Sequence, residues 1–112
     1  MNIEDLTLKQ IREIQGLGTA VPPAPAGRWK VGQNYFVRTV THHLLGTLQE
    51  VTDQELWFAS VSWIADDGRF NELLKNGAAS EVEPAPDGDV AIGRGSLIDA
   101  YVWPHALLRS VK

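Results

Sequence analysis

Histidine and carboxylate side chains are the first groups that could do chemistry in this chain of 112 residues. His42-His43 with His105 is the candidate metal set, since neutral imidazole is a common ligand. Neighbouring residues of a strand point to opposite faces, so His42 and His43 could share an ion only within a turn. No Glu or Cys stands at ligand spacing, which favours turn or surface histidines, and no metal is expected. Asp66 and Asp67, with Glu72, could form an acid/base pair. The simpler reading is a turn: Asp-Gly dipeptides make turns, and Asp67 can cap a following helix. Ser60, Ser62, Ser96 and Ser110 lack the strand-to-helix elbow that exposes a nucleophilic serine. The chain has no cysteine, which removes thiol catalysis, disulfides and thiolate metal sites. No catalytic residue and no cofactor are therefore expected.

Binding chemistry has more to work with. Gly93-Arg94-Gly95-Ser96 could form an anion-binding nest. It stands between two strands, however, where a hairpin turn is the favoured role. Arg28, Lys30 and Arg38 form a local basic group in a chain of net charge −4, a balance that counts against a dedicated nucleic-acid binder. Of the four tryptophans, Trp57 and Trp63 fit one face of a strand and a core. Trp29 and Trp103 suit an interface, where aromatic residues are enriched. Alternatively, with Arg28 or Arg94 nearby, they could stack a nucleobase. Arg28, Arg38, Arg94 and Trp103 are thus the candidates for holding a small anionic ligand, such as a host nucleotide signal, between subunits.

The elements that must position these groups follow from periodicity. Thr7 and Gln10 form a capping box, and Leu6 can staple onto Ile11. Leu8, Ile11 and Ile14 recur along one helical stripe, and Gly16-Leu17 supplies a left-handed stop. A helix over about 8–15 is too short to be stable alone, so its stripe needs a partner. A Pro/Ala-rich tether follows, extended at roughly 3 Å per residue. The pattern therefore divides into an arm (1–17), a tether (18–30) and a β-rich domain (31–112). Docking of the arm on a neighbouring subunit, through Leu8, Ile11, Ile14, Leu17 and Trp29, stands beside docking on its own domain.

Within the domain the period becomes two. Strands are expected over 35–40, with Phe36 and Val40 on one face, over 44–51, and over 55–64, with a turn at 52–54. In the third strand, Trp57, Ala59, Val61 and Trp63 fall on one face and Leu56, Phe58 and Ile64 on the other, so it should be covered on both sides. Gly46 suits a bulge. A short helix around Phe70, Leu73 and Leu74 should stop at Asn76-Gly77, and the acidic segment 78–88 reads as a mobile loop. Short strands near 90–92 and over 97–103 complete a mainly β (α+β) fold. It is either a small, strongly bent antiparallel sheet or a barrel, with one inserted helix and the arm. No run is apolar enough for a membrane span, and the acidic start is no secretion signal.

Ile3-Glu4-Asp5-Leu6-Thr7-Leu8-Lys9-Gln10, the Pro/Ala tether, Tyr35-Phe36-Val37-Arg38-Thr39, Leu45-Gly46-Thr47-Leu48 and Leu56-Trp57-Phe58 together resemble a family of small tailed-phage and prophage proteins of unknown function. Asp66-Asp67-Gly68 departs from that pattern, which has an aromatic, alanine-rich stretch there. The resemblance implies a mobile-element origin and a place in the bacterial cytoplasm. The Val37, Gly46-Thr47-Leu48 and Leu56-Trp57 rhythm also resembles the architecture of Sm-like barrels, which assemble into rings, without their RNA-holding signatures. The combined expectation is a non-catalytic protein that binds itself, tied by its arm and by strand edges.

Overall fold

The computed structural model describes residues 28–112. The arm and residues 18–27 of the tether lie outside that range, and with them Leu8, Ile11, Ile14 and Leu17. The domain is mainly β, with β1 (Asn34–Thr39), β2 (His43–Val51), β3 (Glu55–Asp66), α1 (Phe70–Asn76), β4 (Glu81–Pro84), β5 (Val90–Gly93) and β6 (Leu97–Val102). All pairs are antiparallel, in the order β4-β3-β2-β1-β6, and β5 pairs with β3 beside β4. Among the described residues no helix is long and apolar enough to cross a membrane.

The sheet curls because of how its edges are joined. β5 belongs to one edge and β6 to the other, yet only a 3-10 turn, Arg94–Ser96, separates them. Gly93-Arg94-Gly95 is therefore not a hairpin turn, since β5 and β6 pair with β3 and β1 and not with each other. The sheet does not close into a barrel: its two edges meet by packing, without a ladder between them. Inside the curl lie Tyr35, Val37, Leu48, Leu56, Phe58, Val61 and Ile92, flanked by Val90, Leu97 and Ala100.

A second core covers the opposite face: Phe36, Leu45, Ile64, Leu73, Ala79, Val82 and Trp103. Two covered faces are what the apolar character of both sides of β3 demands. The division of β3 differs from a simple alternation, because Leu56, Phe58 and Val61 share the first core while Ile64 belongs to the second. Ser60, with φ at +55°, is the reason. Between Leu45↔Ser62 and Thr47↔Ala59, β3 spends one residue more than β2, a bulge that reverses the phase of everything beyond it. Trp63 consequently turns outward and is 43% exposed, where regular alternation would bury it. Gly46 lies opposite the bulge, and a Cβ there would sit 3.1 Å from the Ala59 carbonyl oxygen and from Val61.

Side-chain chemistry ends the other elements. Thr39 Oγ1 accepts from the amides of Thr41 and His42 and donates to the His42 carbonyl, which stops β1 and leaves Val40 outside it, 68% exposed. Thr52 Oγ1 accepts from the Glu55 amide at 2.9 Å and makes the expected β2–β3 turn. α1 ends where Gly77 takes φ of +71° and its amide donates to the Leu73 carbonyl. The acidic segment contains a strand, β4, anchored by buried Val82. The last ten residues run back as a strap, with the Trp103 indole donating to Ala106 O, Ser62 Oγ to Leu108 O, and Arg109 to Val61 O and Ala85 O.

Candidate functional site

Three places on the described domain combine polar groups or open backbone with exposure. The first is a row of charge across the second face. His43, Arg38 and Asp99 are successive cross-strand neighbours on β2, β1 and β6. The Arg38 guanidinium donates from Nε to Asp99 Oδ1 at 2.7 Å and from Nη2 to Asp99 Oδ2 and to Tyr101 Oη. Tyr101 Oη donates to Asp99 Oδ2 at 2.9 Å, and the guanidinium lies 4.8 Å from the ring centroid of Phe70 on α1. The hydrogen bond from Arg38, helped by Tyr101, holds the Asp99 carboxyl below the usual carboxylate range, and the same bond raises Arg38.

At the far end of the row, His43 Nδ1 lies 2.9 Å from Asp67 Oδ2. Asp67 thus ties β2 to the turn before α1, while Asp66 makes the Asp-Gly turn by accepting from the Gly68 amide. The helix begins at Arg69 without a side-chain cap, so Asp67 does not cap it. His105 reaches the Leu74 carbonyl through Nε2 at 2.8 Å, and His42 packs on Trp63. The three histidines therefore occupy separate surroundings, and no group of three or more His, Asp or Glu poised for a metal occurs among the described residues. The row is a clasp: each of its charges is already met by another side chain.

The second place is a cleft of about 230 Å³ lined by Arg28, Trp29, Tyr35 and Ala100. Trp29 packs edge-on against Tyr35 at 4.9 Å and flanks the first core. The four residues expected around an anion are not brought together. Arg28 lines this cleft, Arg38 is engaged by Asp99, and Arg94 donates to the Thr52 carbonyl at 2.8 Å. Trp103 is only 1% exposed, in the second core, so its rings face the interior instead of a contact surface. Packing against Phe36 and His105 explains that burial, and a position just past a strand end gave no sign of it.

The third place is the outer edge of β6. The Trp103 amide donates inward to the Asn34 carbonyl, so antiparallel alternation turns the amides and carbonyls of Val102 and Ala100 outward, as far as the bulge at Ile98, beyond which Leu97 pairs with Thr39. Nothing pairs with them among the described residues. Ile98 and Val102 are 62% and 57% exposed. The β4 part of the opposite edge is managed differently: β4 carries exposed Glu81 and Glu83, ends in Pro84, and exchanges backbone hydrogen bonds of 3.0 Å between Val82 and Lys112. Sequence reasoning found β6 as a strand, but its position at an edge depends on which strands pair, and no local pattern encodes that. Compared with known proteins, the chain matches no family model, no curated protein and no solved structure.

Proposed function

We propose that this is a non-catalytic, self-assembling protein of phage type, whose subunits join through the outer edge of β6 with the N-terminal arm as a second tie. The contrast between β6 and β4 carries the reading. An unpaired strand is a template for another chain, and folded proteins commonly blunt it with charge, proline or a cover. β4 has all three. β6 has no proline or lysine, and its one carboxylate, Asp99, is folded back onto Arg38. Exposed Ile98 and Val102 add apolar surface whose burial favours association.

Light scattering coupled to size-exclusion chromatography tests it. The full chain at micromolar concentration is expected to elute as a multiple of its subunit mass, and a monomer would overturn the reading. Removing residues 1–27 should lower the assembly state. An unchanged oligomer would reject the arm and leave β6 as the contact.

A further inference from the structure

The side chains around the Trp29 cleft bring hydrogen-bond donors without acceptors, whatever the assembly state of the chain. A turn seats the cleft wall: the Gln33 amide donates to the Lys30 carbonyl at 3.1 Å, and Gly32, with φ of +93°, donates its amide to the Leu48 carbonyl at 2.8 Å. Trp29 meets Tyr35 edge-on, at 66° between the ring planes, so the two do not stack and ring surface is left for a third group. Tyr35 is 5% exposed; its hydroxyl oxygen accepts from the Lys30 amide at 2.9 Å, and its O–H meets no acceptor among the described residues. The Arg28 guanidinium and the Trp29 indole are donors only. Among the described residues neither side chain meets an acceptor. Asp99 precedes Ala100 on β6 but turns to the other face of the sheet, where it is engaged by Arg38.

We propose that this cleft binds a small aromatic acid, a single flat ring carrying a carboxylate or phosphate group. The ring lies against Trp29, Tyr35 and Ala100 and removes apolar surface from water. The anionic oxygens supply the acceptors that the lining side chains lack, with Arg28 as their first partner, since a guanidinium pairs carboxylate and phosphate through two parallel hydrogen bonds. Exposed Lys30, whose amide already touches Tyr35, adds a second positive charge nearby. A cationic ring compound would face Arg28 with no carboxylate to receive it, and a neutral amide would bring one carbonyl acceptor and no charge. The volume of about 230 Å³ lies below the range of about 300–1,000 Å³ of pockets for drug-sized ligands, so one ring with its charged group fits and a dinucleotide does not.

Fluorine NMR of the full chain carrying 5-fluorotryptophan tests the site, because the four tryptophans give one signal each and Trp29→Phe identifies the relevant one. Benzoate and phenyl phosphate are the anionic probes, with benzamide and benzylamine as the neutral and cationic controls. The Trp29 signal should move saturably with benzoate, phenyl phosphate or both, while those of Trp57, Trp63 and Trp103 hold still. The tighter of the two probes tells whether carboxylate or phosphate is preferred. Neither control should saturate the shift at a tenfold higher concentration. Arg28→Gln, at an exposed position, should keep the far-ultraviolet circular dichroism of the parent and weaken the anion about tenfold or more, the scale of a hydrogen bond to a charged group. The site is overturned by the absence of a saturable shift with either anion, by equal binding of benzamide, or by unchanged affinity in Arg28→Gln. Movement of all four signals together, the mark of unspecific association, also overturns it.

Discussion

Asp99 accepts hydrogen bonds from both Arg38 and Tyr101, and a carboxyl held low in this way has a signed effect on stability. Its contribution is fully present above the unfolded value, about 3.9, and fades as pH falls through the still lower folded one. Asp99→Asn should therefore cost about 1 kcal/mol at pH 7, as expected for a two-pronged but half-exposed pair. The gap between variant and parent in urea unfolding should be flat near neutrality and shrink below about pH 4. A gap independent of pH down to that range would show that the carboxylate's charge is not what matters. Little of this row was legible beforehand. Arg38 and Asp99 are 61 residues apart, and only the pairing of β1 with β6 makes them neighbours. The same holds for His43 and Asp67, which entered as separate suspects for metal and proton chemistry and meet as partners.

At the scale of elements, the period of two located β1, β2, β3 and β6, and the Gly77 stop located α1, because each is written in neighbouring residues. Two features escaped for physical reasons. β4 buries only Val82 between exposed glutamates, too short a signal to stand out from an acidic loop. The bulge at Ser60 needs a positive φ that serine tolerates without announcing it, and one added residue reverses the facing of all that follows. Gly46 did carry a trace of that bulge. Gly46→Ala places a methyl group 3.1 Å from the Ala59 carbonyl oxygen, and backbone there cannot swing aside as a flexible side chain would. A loss of about 1–3 kcal/mol is expected in chemical denaturation, the range for overpacking an interior. An unchanged midpoint would mean that β2 and β3 can separate at the bulge without penalty.

At the scale of the molecule, one sheet serves two cores, and among the described residues α1 and the strap close the second. Trp103 sits at their centre, tilted against Phe36 from β1 and edge-on to His105 from the strap while buried to 1% exposure. Trp103→Ala should cost about 3–5 kcal/mol, a large share of the stability of a small domain. Thermal unfolding followed by circular dichroism checks it, and a shift of only a degree or two would mean that the second core contributes little. Aromatic count alone pointed to Trp103 as a contact residue, since burial depends on the strap folding back over it. The bent antiparallel architecture was legible in outline; its openness was not, because closure is decided by whether two distant edges find a ladder.

The strap described above also fixes an order of events during synthesis. A ribosome delivers β1 to β5 before it delivers β6, Trp103 or Arg109, so β1 waits for its second neighbour and Phe36, Leu45 and Ile64 wait for their cover. Until residues 97–112 emerge, the nascent chain shows water a greasy half-sheet of the kind that chaperones hold. Translation that stalls inside this stretch leaves an adhesive fragment, and a synonymous codon slowing the ribosome there acts on yield without altering a single side chain.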